Sequence, residues 1–280
     1  MKMDDLWVDY VQDKRIEGYS ENTIKTYEIQ KNVFNRWIGD VEVEDITIRD
    51  LKSYILNSQQ KLKSSSVEHR IKFLRTFFRW LHEEEYLESN TAKRLKFPKE
   101  EKRLPKFLML ETIEALKIEA KNPLEQMLIE FLYTTGIRIG ELHSLNRSDI
   151  DLQDESVKVI GKGNKERKIY FSKRAKILIE RYFDWRKDDE ECFISTVNKP
   201  YRRMTVHQLR LRLKNIAERA GVKENVSPHF FRHSFATYLI ERDVPLDVIQ
   251  YFLGHASPET TKIYAYISTE KKKQIYKRHF

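Results

Sequence analysis

Residues 227–237, SPHFFRHSFAT, set His229 and Arg232 three positions apart behind a Ser-Pro pair. Ser-Pro opens a helix, and the spacing puts both side chains on one of its faces. His233, next to Arg232, points to another face and reads as a packing or hydrogen-bonding histidine. Outward from this stretch three more polar clusters stand in fixed order: Arg138 in TGIRIGEL (135–142), His255 in LGHAS (253–257) and Tyr264 in TTKIYAY (260–266). Arginine neutralises phosphate oxygens through paired N–H donors. Histidine takes or gives a proton near neutral pH, and a tyrosine hydroxyl can serve as a covalent nucleophile. Two arginines, two histidines and a tyrosine suffice to attack a phosphodiester without a metal, and on a basic chain they point to breakage and joining of DNA strands.

With these clusters in this order, the chain resembles, over nearly all of its 280 residues, the tyrosine recombinases, or phage-integrase family, and above all its Xer-type members. Lys162 in VIGKGNKERKI (159–169) is a sixth match. The resemblance implies that Tyr264 attacks the scissile phosphate to leave a 3′-phosphotyrosyl link, while Arg138 and Arg232 hold the phosphate. It implies further that His229 accepts the tyrosine proton, Lys162 protonates the departing 5′ oxygen and His255 hydrogen-bonds the phosphate. Lys165 competes with Lys162 and Tyr266 with Tyr264. The family's pattern selects Lys162, and its nine-residue spacing from the LGH histidine selects Tyr264. Glu141 follows Arg138 by three residues on the same helical face. The resemblance gives it a supporting, orienting role; a plain helix-surface ion pair is the alternative. No cofactor, nucleotide or metal is implied.

Composition agrees. The length suggests two domains. At 40% hydrophobic residues the chain can build ordinary cores, and no apolar run is long enough for a membrane span. The N-terminus, MKMDDLWVDY, has no secretory-signal pattern. The single Cys192 offers neither an intrachain disulfide nor a metal cluster. A cytoplasmic protein without a membrane partner is expected. Residues 1–100 hold 18 Lys+Arg and 18 Asp+Glu, so the net charge of +9 belongs to residues 101–280. Between Cys192 and Ala217 lie Lys199, Arg202, Arg203, Arg210, Arg212 and Lys214 with no acidic residue, a basic run suited to a phosphate backbone. For any one of them alone a solvated surface charge is the better reading, and it is the run as a whole, near the polar clusters, that favours DNA.

The first hundred residues read as helices. One starts at Ser20, carries Ile24, Tyr27, Ile29, Val33, Phe34 and Trp37 at helical period and stops at Gly39. A second covers Ile48–Gln59 after Thr47. A third is capped by Ser64 or Ser65 and has the stripe Val67, Ile71, Leu74, Phe77, Phe78 and Leu81, and a short segment spans Asn90–Leu95. Taken alone, their aromatics are core residues before they are base-stacking groups. The expected domain, 1–97, resembles the family's helical core-binding (SAM-like) domain. A linker follows at 98–107 with two prolines in the surrounding KFPKEEKRLPKFL.

The expected catalytic domain, 108–280, begins with helices near Met109–Ala120 and Pro123–Tyr133. The chain then breaks at Gly136 so that Arg138 starts a new helix, where backbone N–H groups favour an anion. Strands Ser156–Ile160 and Arg167–Phe171 flank the turn GKGNKE. Helices follow at Lys173–Arg186, Val206–Ala220, from Ser227-Pro228, and up to Gly254; Pro258 starts the one carrying Tyr264. The fold class is mainly α with a small β-hairpin or sheet, an α+β catalytic domain behind a helical N-terminal domain. The basic tail 269–280 presents Ile275, Tyr276 and Phe280, for its own domain or a neighbouring subunit.

By resemblance, the expected function is site-specific recombination of double-stranded DNA with paired inverted half-sites, by a homotetramer or a heterotetramer with a second recombinase. Strand exchange would pass through a Holliday junction, in the resolution of chromosome or plasmid dimers. Transposon or phage integration, a type IB topoisomerase-like activity and a non-catalytic DNA-binding role are the alternatives. The lack of an extra N-terminal arm-binding domain weighs against phage integration, and the filled set of family positions weighs against a non-catalytic role.

Overall fold

The computed structural model describes residues 1–99, 106–161 and 166–254. The chain divides into two compact units, Met1–Arg103 and Leu104–Phe280. Described secondary structure is mostly helical, with one small antiparallel sheet. Among the described residues no helix is long and apolar enough to cross a membrane.

The first unit contains α1 (Trp7–Ile16), α2 (Glu21–Ile38), α3 (Ile48–Lys61), α4 (Ser64–Glu83) and a 3₁₀ turn at Thr91–Arg94. Local chemistry sets the starts of α2 and α3. Ser20 Oγ accepts from the Thr23 N–H at 3.3 Å, and Thr47 exchanges side-chain and backbone bonds with Asp50. Both satisfy N–H groups that the helix itself leaves unpaired. Gly39 ends α2 at φ 79°, a conformation glycine adopts without a Cβ penalty. The anticipated stripe of α4 is buried in full. Its cap is Lys63, which makes no side-chain cap bond, and both serines lie inside the helix. Helix α1 has no counterpart in the sequence-based reading. Its inward residues include a lysine, Lys14, beside Trp7 and Tyr10, and this blurs the apolar period. Ile29 faces solvent at 59% exposure, away from the stripe it was assigned to. Trp7, Tyr10, Phe73, Phe77 and Trp80 form a cluster of mutual ring contacts. The Trp80 indole donates to Asp13 Oδ2 at 2.7 Å. The aromatics are thus core, each contributing roughly 1.5–3 kcal/mol by burial.

The second unit contains α5 (Leu110–Ile118), α6 (Pro123–Thr135), α7 (Ile139–Ser144), β1 (Ile150–Asp151), β2 (Ser156–Ile160), β3 (Glu166–Tyr170), α8 (Lys173–Trp185), α9 (Val206–Arg219), α10 (Pro228–Glu241) and α11 (Leu246–Leu253). The sheet order is β1-β2-β3, with Val157 opposite Ile169 and Val159 opposite Arg167. Two-residue β1 is too short to leave a period in the sequence, and β3 begins one residue before the expected strand. Helix α6 is the spine. Leu124, Met127, Leu128, Ile129, Phe131 and Leu132 are all buried on it, and it packs on α5, α8, α9, α10 and β3. Asn122 caps α6 by accepting from the Glu125 N–H at 3.0 Å. Of the expected linker, residues 100–105 lie outside the described residues, as do the helix after Pro258 and the tail 269–280.

Gly136 ends α6 in the left-handed region at φ 58°, and a Cβ there would come 2.5 Å from Phe235. Gly136→Ala should therefore destabilise the protein by more than about 1 kcal/mol. Gly140, inside α7 with open space around it, is the matched control. Gly140→Ala should be neutral or stabilising by up to about 1 kcal/mol. Chemical denaturation of the two variants compares them directly, and equal effects would refute the assignment of backbone strain to Gly136.

Candidate active site

The described site is built around the C-terminal end of α11. A helix end leaves its last carbonyls without intrahelical partners, and arginine side chains satisfy such groups and favour the negative end of the helix dipole. Three arginines do so here. Arg167 Nε donates to Phe252 O at 3.3 Å, Arg232 Nη2 donates to Leu253 O, and Arg138 Nη2 donates to Gly254 O at 2.7 Å. Arg232, at 6% exposure, also donates through Nη1 to Gly136 O at 2.8 Å. The break after α6 and the end of α11 are thus held together by one guanidinium from α10. Gly254 makes the approach feasible. It sits at φ 58°, and a Cβ would lie 2.7 Å from Arg167 Cζ.

Beneath these carbonyls lies the Glu141 carboxylate, 7% exposed. It accepts from the Arg138 N–H at 3.0 Å and from Arg138 Nη1 at 2.8 Å. Arg167 grips it through both Nη atoms, each at 2.9 Å. Burial pushes the carboxyl upward, but the hydrogen bonds and charge of Arg167, then the backbone and guanidinium of Arg138, outweigh it and hold the carboxyl below its ordinary range. Glu141 is therefore a buried bridge and not a surface ion pair. It also takes the N–H of Arg138, so that donor at the start of α7 is not open to an incoming anion as expected.

Arg138, Arg232 and His229 come together. Burial first, and then the charges of Arg232, Arg210 and Arg138, lower the His229 pKa below its ordinary value. Its ring reaches solvent, and the neutral form favoured there can accept a proton. His233 is pushed down to about 4, by burial first and then by the charges of His229 and Arg232. It is a neutral, partly buried ring, as its position beside Arg232 suggested. Lys162, His255 and Tyr264, together with the competing Lys165 and Tyr266, lie outside the described residues.

The basic run separates into two kinds of residue. Lys199, Arg202, Arg210 and Lys214 are exposed; Lys214 lies 3.5 Å from the exposed Glu218. Arg203 and Arg212 depart from the expected solvent-facing run. Arg203 donates to His143 O at 2.7 Å and Leu145 O at 2.6 Å, closing the end of α7. Arg212 pairs at 3.2 Å with buried Glu125, which Arg219 also holds at 2.6 Å. A backbone carbonyl or a buried carboxylate is a stronger demand on a guanidinium than bulk water, so these two are structural. Arg167, in turn, was not among the sequence-based candidates. Its signal was present, since it lies in register opposite Val159 and two residues from buried Ile169, a charged residue on the inward face of a strand. Among the described residues no group of three or more His, Cys, Asp or Glu is placed to hold a metal ion.

Residues 102–271 match the phage integrase family, and residues 7–88 match the phage integrase N-terminal SAM-like domain. Tyrosine recombinase XerC of Leptospira interrogans is 33% identical over 277 residues, covering 94% of this chain and 88% of the relative. Tyrosine recombinase XerD of Haemophilus ducreyi is 32% identical over 289 residues, covering 99% and 95%. The fold is similar to that of XerH site-specific recombinase bound to palindromic difH substrate in a post-cleavage complex. There the TM-score is 0.75 at 20% identity, covering 94% of this chain and 81% of the other.

An unfolded histidine titrates near about 6.5, whereas folded His233 titrates at about 4. Between those values the unfolded chain binds a proton that the folded chain refuses, so stability must fall as pH drops through that window. His229 acts in the same direction. Urea unfolding at neutral pH and at pH values inside the window measures this loss, and His233→Gln should shrink it. An undiminished pH dependence in the variant would assign the effect to another group.

Proposed function

We propose that this chain, which belongs to the phage integrase family of tyrosine recombinases, breaks and rejoins duplex DNA at specific sites through a 3′-phosphotyrosyl intermediate on Tyr264. The observation that carries the reading is the convergence of Arg138 and Arg232 on the carbonyls at the end of α11, one residue before His255, with the His229 pKa lowered by burial first and then by the charges of Arg232, Arg210 and Arg138. Tyr264 Oη forms a bond to the scissile phosphorus while the bond from phosphorus to the 5′ oxygen breaks. The tyrosine proton passes to neutral His229, which is needed because a free phenol has a pKa of about 10. Lys162 gives a proton to the departing 5′ oxygen. Arg138 and Arg232 face the charge that grows on the non-bridging oxygens, and His255 hydrogen-bonds the same phosphate. Arg138 is one-third exposed, with two N–H groups engaged at Glu141 and Gly254, and keeps further donors for a phosphate. The 5′-hydroxyl of a second strand then reverses the step, so the energy of the broken bond is retained and no nucleotide is consumed.

Two such exchanges pass through a Holliday junction, within a tetramer of this chain or of this chain with a second recombinase, on paired inverted half-sites of double-stranded DNA. The strong likeness to XerC and XerD over most of their lengths supports an Xer-type role in resolving chromosome or plasmid dimers in the cytoplasm, and hence in chromosome partition and cell division. Exposed Lys199, Arg202, Arg210 and Lys214 supply backbone contacts. Sequencing genomic fragments retained by the protein tests the role. A chromosomal site near the replication terminus supports dimer resolution, and a site beside the gene itself supports a mobile element instead.

On a nicked duplex bearing the selected site, Tyr264→Phe should keep DNA affinity and form no covalent adduct, since only the nucleophilic oxygen is lost; Tyr266→Phe should still cleave. Adduct from Tyr264→Phe at the wild-type yield would overturn the assignment. Arg138→Ala should lower the cleavage rate roughly 10²–10³-fold with a far smaller loss of affinity. Equal losses of the two would make it an ordinary backbone contact. Adduct formation should be undiminished by EDTA, and a requirement for added magnesium would refute the mechanism.

A further inference from the structure

Arg167 has no role in the chemistry above, yet it touches two pieces of the site's frame, the Glu141 carboxylate and the end of α11. It stands on β3, grips Glu141 through both Nη atoms at 2.9 Å, and reaches Phe252 O at 3.3 Å. Its guanidinium packs against Gly254 closely enough to exclude a Cβ. Its side chain is 9% exposed, so it is not a surface contact for DNA. Strand β3 leads back along the chain to Lys162, α11 leads forward to His255, and Glu141 leads to Arg138. We propose that Arg167 is a positioning residue for strand cleavage: it holds Arg138, the β2–β3 hairpin and the end of α11 in one frame through the Glu141 carboxylate, and keeps that frame positively charged. The inference rests on the covalent chemistry proposed above.

Charge supplies the second half of the argument. Arg138 paired with Glu141 alone would sum to zero, and a phosphate would meet a neutralised guanidinium. With Arg167 sharing the same carboxylate the three groups sum to one positive charge. Both Glu141 and Arg167 are shielded from solvent, so water and salt do little to screen that charge. Removing Arg167 leaves the whole carboxylate on Arg138 and deletes the hydrogen bond from β3 to the end of α11, leaving the Tyr170–Phe252 ring contact between the two.

The test is single-turnover formation of the Tyr264 adduct on a nicked duplex carrying the site that the wild-type protein retains from genomic DNA. Arg167→Gln should change duplex affinity less than about 3-fold, because many other cations support the duplex. Its cleavage rate should fall on the order of 10²-fold through misplaced groups. Arg167→Lys keeps the charge without the paired donors and should cleave at an intermediate rate. It carries the test alone if Arg167→Gln does not fold, and cleavage at the wild-type rate would then overturn the inference. Adding Glu141→Gln to Arg167→Gln should restore part of the lost rate by removing the uncompensated carboxylate, a non-additivity that a merely structural arginine would not show. Lys168→Gln, which alters an exposed neighbour paired with Asp154, should cleave as wild type. Wild-type cleavage by Arg167→Gln, equal losses of affinity and rate, or simple additivity with Glu141→Gln would each overturn the inference alone. Absence of adduct from the wild-type protein would overturn the proposed function and this inference together.

Discussion

One buried carboxylate organises the described part of the site. Glu141 lies out of water, where an unpaired charge would be untenable, and it recruits two guanidiniums from different parts of the chain. Each of those arginines then has donors left over, and the open carbonyls at the end of α11 accept them. Arg232 joins from α10 and ties the same carbonyls to the break after α6. Acceptors without partners at a helix end and donors without partners around a carboxylate satisfy one another. The two left-handed glycines, Gly136 and Gly254, let the backbone come close enough for this.

The same economy explains why counting basic residues overstates the surface available to a polyanion. Arg203 closes the end of α7, and Arg212 with Arg219 compensates Glu125 at the start of α6. Arg203 thereby fixes the end of α7, the helix that Arg138 caps, and Arg212 and Arg219 join α9 to α6, so part of the basic run serves the site indirectly. The first unit has its own aromatic core, with Trp7, Tyr10, Phe73, Phe77 and Trp80 in mutual contact. Two separate cores are what a division into two compact units requires.

Local chemistry alone determined much of this protein. The helix starts at Ser20, Thr47 and Pro123, the stops at Gly39, Gly136 and Gly254, and the buried stripe of α4 follow from side chains and backbone within a few residues of one another. So does the pairing of His229 with Arg232 on one helical face. These features are periodic or punctuated, and a sequence displays period and punctuation directly. Helix α1 and strand β1 escaped because one carries a lysine among its inward residues and the other spans only two residues. What tertiary structure alone decided is who satisfies whom. Arg167 binds Glu141 across 26 positions, Arg138 reaches Gly254 across 116, and Arg203 turns inward while Lys199 and Arg202 do not. A sequence shows which residues carry charge, but the partner of a charge depends on which distant backbone ends the fold leaves unsatisfied beside it.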